Sequence, residues 1–162
     1  MLADEERSGA RTLLEAAGVK PGPLVGVHPG SGGSAPNWDI ERYVELARRI
    51  VGEHRAQVVV TGDGSEPPAV WDAAGPTGVA DLSGQLTLRK LMGVVSCCDA
   101  LVSSSTGPMH LAAALGVPSV ALFCPRRACC PDRWGPLGDG HRVLLAGQGR
   151  GSDRCARCGS TR

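Results

Sequence analysis

The feature that most constrains this chain is an alternation. Short apolar runs, each stopped by glycine, proline or serine, take turns with stretches of helical spacing. "PLVGVHPG" reads as a strand over 24–28, "AQVVVTGDG" contains a second, residues 79–82 a short third, "DALVSSS" a fourth and "PSVALFCP" a fifth. The Val run of the second strand has no polar alternation, the pattern of a strand buried on both faces. In "DIERYVELARRIVGE", residues Ile40, Tyr43, Val44, Ala47, Ile50 and Val51 share one helical face behind a candidate N-cap, Asp39. Further helices are expected over 69–74, in "TLRKLMGVVSCC" with Leu88, Leu91, Met92 and Val95 turned inward, and in "GPMHLAAALG". The order βαβαβαβαβ, with connections this short, requires right-handed crossovers and parallel strands. The expected fold class is therefore α/β, a Rossmann-like doubly wound parallel sheet. A helical lead-in, "EERSGARTLLEAAGV", precedes it with Leu13, Leu14 and Ala17 at helical spacing, and after Pro125 the chain reads as irregular and Arg-rich.

The 162 residues suffice for one core, read here as a single domain over 1–146 with an Arg- and Cys-containing tail over 147–162. A net charge of +1 gives no basic surface for nucleic acid. No apolar run approaches the ~20 residues of a membrane span. The start, "MLADEERSGARTLLEAAG", is too charged for a secretory signal, so a cytoplasmic location is expected. Seven cysteines include a single C-x-x-C pair, Cys155 and Cys158, with Cys124, Cys129 and Cys130 upstream. A zinc site needs two well-spaced pairs, and "ACCP" is not one, so no metal is expected. Cys97 and Cys98, late in a helix, read as small core or helix-end residues.

Open parallel sheets bind ligands outside the carboxyl ends of their strands. Four of those ends here carry turn and hydroxyl residues: "HPGSGGS", "TGDGSE", "SSSTGP" and "FCP". The first lacks the Lys-Ser/Thr of a P-loop, and the second has Pro67 where a dinucleotide fingerprint needs its third glycine. "SSSTGPMHLAAALG" is the most telling. Thr106 stands as an N-cap and Pro108 in the first turn, so the N–H groups of Gly107, Met109 and His110 would face an anion at the positive helix end. Ser104, Ser105 and Thr106 add hydroxyls, and His110 either donates to a phosphate or bonds locally. Arg126, Arg127 and Arg133 flank the last strand end, as ligand contacts or as a solvated loop.

Taken together, "VGVHPGSGGSAPNWDIERYVELARRI", "VVVTGDGSE", "DLSGQLTLRKLMGVVSCCDALVSSSTGPMHLAAALGVPSVALFCP" and "RWGPLG" resemble the carboxyl-terminal half of a family 9 glycosyltransferase, the lipopolysaccharide heptosyltransferases and their relatives. The resemblance covers roughly residues 24–146. It implies the second half of a GT-B fold, which binds a nucleotide-sugar donor of the ADP-heptose kind. The other half binds the acceptor and supplies the base, and transfer inverts the sugar without an obligatory metal or other cofactor. By position, Gly30, Ser31, Gly32 and Gly33, with Ser105, Thr106, Gly107, Pro108, Met109 and His110, would hold the diphosphate. Glu66 would lie near the donor ribose, and Leu86 and Thr87 beside the base.

The chain departs from the family in three places. Pro36 stands where members often carry Lys or Arg, and Ser105 where an Asp is common. The third is length, about half that of a family protein. The implied partners are the nucleotide-sugar donor and an amino-terminal acceptor-binding domain that this chain lacks, with catalytic residues unassigned and no activity expected alone. The resemblance leaves room for peripheral association of the full protein with the inner face of the plasma membrane. The other reading is a non-catalytic nucleotide-binding or interaction module derived from that family.

Overall fold

The structure is a computed structural model that describes residues 2–33, 37–65, 69–72, 77–124 and 129–145. In chain order the elements are α1 (Asp4–Ala16), β1 (Leu24–His28), α2 (Ile40–His54), β2 (Gln57–Val60), α3 (Ala69–Asp72), β3 (Val79–Asp81), α4 (Leu88–Ser96), β4 (Ala100–Ser104), α5 (Gly107–Leu115), β5 (Ser119–Phe123), α6 (Pro131–Trp134) and β6 (His141–Leu145). The six strands form one parallel sheet in the order β3-β2-β1-β4-β5-β6. Strand order reverses between β1 and β4, which opens a crevice at their carboxyl ends, the switch point of a doubly wound sheet.

The Val run of β2 shows why no polar alternation is possible. Val58 and Val60 pack against Tyr43, Ala47 and Ile50 of α2 and Trp71 of α3, while Val59 faces Val94, Val95 and Ala112 of α4 and α5. Each fully buried Val contributes roughly 1.5–3 kcal/mol of apolar transfer. Helix α1 joins the second of these layers through Ala10 and Leu14. At Gly93 of α4 a Cβ would lie 3.0 Å from the Ala10 Cβ and 3.1 Å from the Glu6 carbonyl, so this crossing is tight and any side chain there makes the neighbouring helix give way. Arg89 and Glu6 pair at 3.1 Å beside it.

Two expectations need correcting. Leu88 is not inward: as the first residue of α4 it is 65% exposed, and the helix buries Gly93, Val94 and Val95 instead. Nor is the chain after Pro125 wholly irregular. It forms α6 and a sixth strand, β6, whose Val143 and Leu145 cover Met109, Ala121 and Phe123 while Arg142 and Leu144 face outward. Such an edge strand buries one face only, so its apolar signal is half that of β2. Residues 73 and 74, the end of the helix expected over 69–74, lie outside the described residues.

Candidate functional site

The carboxyl edge divides into two neighbouring regions. On the β1-β2-β3 side lies a cleft of about 350 Å³. The loop after β1 gives it Pro29, Gly30, Ser31, Gly32 and Gly33, then Asn37 and Trp38, and the start of α2 adds Ile40 and Glu41. The loop after β2 gives Gly62, Asp63, Gly64 and Ser65, with Trp71 and Ser83 completing the wall. All four glycine-loop residues expected at the site therefore line one cleft.

Local chemistry explains its shape. Gly32 and Gly33 have φ of +55° and +79° with open space around them, a path that side-chain-bearing residues adopt only with strain. The "GDG" glycines serve another need: a Cβ on Gly64 would stand 3.1 Å from the Cα of Gly84, and the Gly84 N–H donates to the Gly62 carbonyl at 2.9 Å. The loops after β2 and β3 thus lie backbone against backbone as the cleft floor. Hydrogen bonds from Ser65, first from its side chain and then from its N–H at 2.9 Å, hold the Asp63 carboxyl below its usual range. With Glu41 also present and no Lys or Arg among the described lining residues, the cleft is rich in acceptors. The buried Asn37 Oδ1 adds one more, and it has no partner among the described residues. Trp38 stands at the rim, edge-on to Tyr43, with the Arg42 guanidinium 5.8 Å above its ring.

On the β4 side is the start of α5. Thr106 takes the N-cap position by backbone geometry, without a side-chain cap bond, and Pro108 lies in the first turn. The Met109 N–H is not unpaired as expected; it donates to the Thr106 carbonyl at 3.1 Å, and the Met109 side chain is buried against Ala121 and Phe123. Gly107 and His110 are exposed, and Ser105 and Thr106 half-buried. Ser104 is no ligand hydroxyl. It is 1% exposed, donates to the Pro29 carbonyl at 2.8 Å and takes the proton of the buried Tyr43 hydroxyl at 3.0 Å. Burial pushes the Tyr43 phenol up to about 12, with the Ser104 bond pulling it back. This knot ties the foot of the glycine loop to the end of β4.

His28, the last residue of β1, directly precedes the cleft-lining Pro29 and was not among the expected residues. Its Nδ1 lies 2.8 Å from Thr61 Oγ1, and burial lowers the ring's pKa to about 4 against a smaller opposing pull from Asp63. The ring is therefore neutral near pH 7. A His closing a strand at the switch point was the available signal. The remaining expected residues stand apart from the cleft. Thr87 is the N-cap of α4, its hydroxyl accepting from the Lys90 N–H at 3.4 Å, and Leu86 packs against the α1/α4 core. Arg133 stacks 4.9 Å over Trp134. Cys98 is buried beneath α4, its thiol raised to about 12 chiefly by burial, and Cys97 is the helix C-cap. Glu66, Pro36, Arg126, Arg127, Cys155 and Cys158 lie outside the described residues.

Comparison with known proteins agrees with this architecture. The family model described as "Glycosyltransferase family 9 (heptosyltransferase)" matches residues 2–160. Lipopolysaccharide heptosyltransferase 2 of Salmonella typhimurium is 34% identical over 129 residues, covering 75% of this chain and 36% of that protein. Among solved structures, the family 9 glycosyl transferase of Veillonella parvula superposes with a TM-score of 0.76 at 26% identity, over 90% of this chain and 41% of that one. E. coli ADP-heptose lipopolysaccharide heptosyltransferase II gives 0.69 at 26% identity, over 89% and 44%. The chain spans about a third of the length of the curated relatives it matches.

Proposed function

The chain belongs to glycosyltransferase family 9, and from that premise we propose that it is the donor-binding part of an inverting sugar transferase of lipopolysaccharide or related surface-glycan synthesis. The donor is a nucleoside-diphosphate sugar of the ADP-heptose kind, in keeping with the E. coli enzyme whose fold it shares. One observation carries the reading: the glycine loop and the start of α5 flank the same switch point and are tied together through Ser104 and Pro29. The charge around them sorts the ligand. The acidic, hydroxyl-lined cleft suits the hydroxyls of a ribose or sugar, which donate to carboxylates and to the Asn37 amide. The diphosphate belongs toward α5, where the helix start favours negative charge.

During transfer, negative charge builds on the departing diphosphate, and prearranged N–H and hydroxyl donors at a helix start stabilise it. The acceptor and the base come from outside this chain, so the chain by itself binds donor and does not turn over. Calorimetric titration with ADP, GDP and UDP tests this: one of them should bind with micromolar to millimolar affinity. No heat with any of the three would remove the donor-binding reading. One feature favours the second reading, a nucleotide-binding module without transferase activity. No basic side chain lines the cleft among the described residues, and Pro36 replaces a commonly basic position.

A further inference from the structure

Three polar side chains stand in a row on the α4/α5 face of the sheet, across β2, β1 and β4: Thr61, His28 and Ser103. His28 and Ser103 are register partners on adjacent strands, and the Thr61 N–H donates to Val27 in the ladder beside them. Their neighbours one step down, Val59 and Leu101, are ordinary core residues. An apolar row would continue that core. Instead Ser103 is 0% exposed and its Oγ has no partner among the described residues, an arrangement that costs on the order of 1–3 kcal/mol. Polar groups kept at such cost concentrate at functional sites.

Thr61 is as closed to solvent as Ser103, so His28 is the member of the row that a ligand can reach. It also stands between the two regions of the edge, with the acidic cleft on its β2 side and the α5 start on its β4 side. We infer that His28 is a donor-binding residue: the Thr61 hydroxyl donates to Nδ1, which leaves the proton on Nε2, and that N–H donates to an oxygen of the bound diphosphate. Thr61 is then a positioning residue that acts through the ring, since the hydrogen bond at one imidazole nitrogen sets the role of the other. This assignment rests on the donor-binding reading and names a contact within it.

The test uses the full chain and whichever nucleoside diphosphate binds, compared with the nucleoside of the same base. His28→Ala should weaken the diphosphate by about tenfold or more and leave the nucleoside within about twofold. His28→Gln, which keeps an N–H near the same place, should recover most of that loss. Thr61→Val should cost a few-fold in the wild-type background and nothing further in His28→Ala. Nitrogen NMR of the wild-type imidazole gives a readout independent of any variant. The Nε2–H form should predominate, and its signal should move with the diphosphate but not with the nucleoside. An unchanged signal, equal losses for diphosphate and nucleoside, or a Thr61→Val cost that persists without the ring would overturn the assignment. Failure of the wild-type chain to bind any nucleotide would instead remove the donor-binding reading on which it rests.

Discussion

The Ser104 hydroxyl, at the end of β4, donates to the Pro29 carbonyl in the loop after β1 across 2.8 Å, between residues 75 apart in sequence. Ser104→Ala strips the bond from that carbonyl and leaves the buried Tyr43 hydroxyl without its acceptor. Two unsatisfied polar groups should cost about 2–4 kcal/mol in urea unfolding. Tyr43→Phe keeps the Pro29 bond and should cost about 1 kcal/mol for the hydroxyl alone. A Ser104→Ala chain as stable as wild type would show that the knot is not a structural tie.

His28 supplies a pH dependence whose sign can be worked out. Its pKa falls from 6.5 to about 4 on folding, so between those values the unfolded chain binds more protons. Stability is then fully present above pH 6.5 and drains away as pH falls toward 4, by up to about 3 kcal/mol. Chemical denaturation of wild type and His28→Gln at pH 7.5 and 4.5 isolates this share from other acid-sensitive groups. The gap between the two proteins should shift toward the variant at the lower pH. A gap independent of pH would refute the cause.

The close approach of α1 to α4 makes Gly93 sensitive to size. Gly93→Ala forces its Cβ against Ala10 and the Glu6 carbonyl, offsetting the gain in helix propensity of about 1 kcal/mol. Gly93→Val must push the helices apart, with an expected loss of about 2–3 kcal/mol. Thermal melting should rank wild type and Gly93→Ala close together and Gly93→Val several degrees lower. Equal melting of all three would mean that α1 is not packed on α4.

Gly64 carries two constraints at once, a φ of +80° and the Gly84 backbone alongside it. Gly64→Ala should cost about 1–3 kcal/mol and pry apart the loops that present Asp63, Ser65 and Ser83. Ligand affinity should therefore fall more than for Gly30→Ala, where a Cβ meets nothing within 4 Å. Calorimetry on the two variants compares them directly.

The parts of the fold written locally were legible. Five of the six strands and the amphipathic face of α2 are readable from the sequence, because runs of Val and Leu are a local signal of burial. β6 escaped because an edge strand buries only Val143 and Leu145, and its apolar signal is diluted by Arg142 and the glycines before it. At the site, Gly30, Ser31, Gly32 and Gly33, expected to hold the diphosphate, line the cleft, since glycine and serine at a strand end are a local signal. The roles of Ser104 and Met109 were not legible. Both look like ligand donors in the linear text, but Ser104 is spent on Tyr43 and Pro29, and the Met109 N–H on Thr106. Which partner absorbs a hydroxyl depends on strands brought together from far apart. Asn37, Glu41 and Asp63 were missed because they come from the segments after β1 and β2, which face one space only once those two strands pair side by side.

The tie between Ser104 and Pro29 also bears on how the glycine loop meets a ligand. Its first residue is clamped to a central strand, while Gly32 and Gly33, a few bonds further on, already hold the left-handed turn they need. Much of the ordering that a free loop would undergo on contact has thus been completed during folding. The entropy lost at the moment of association is correspondingly small. A weak set of individual contacts can then still add up to measurable affinity.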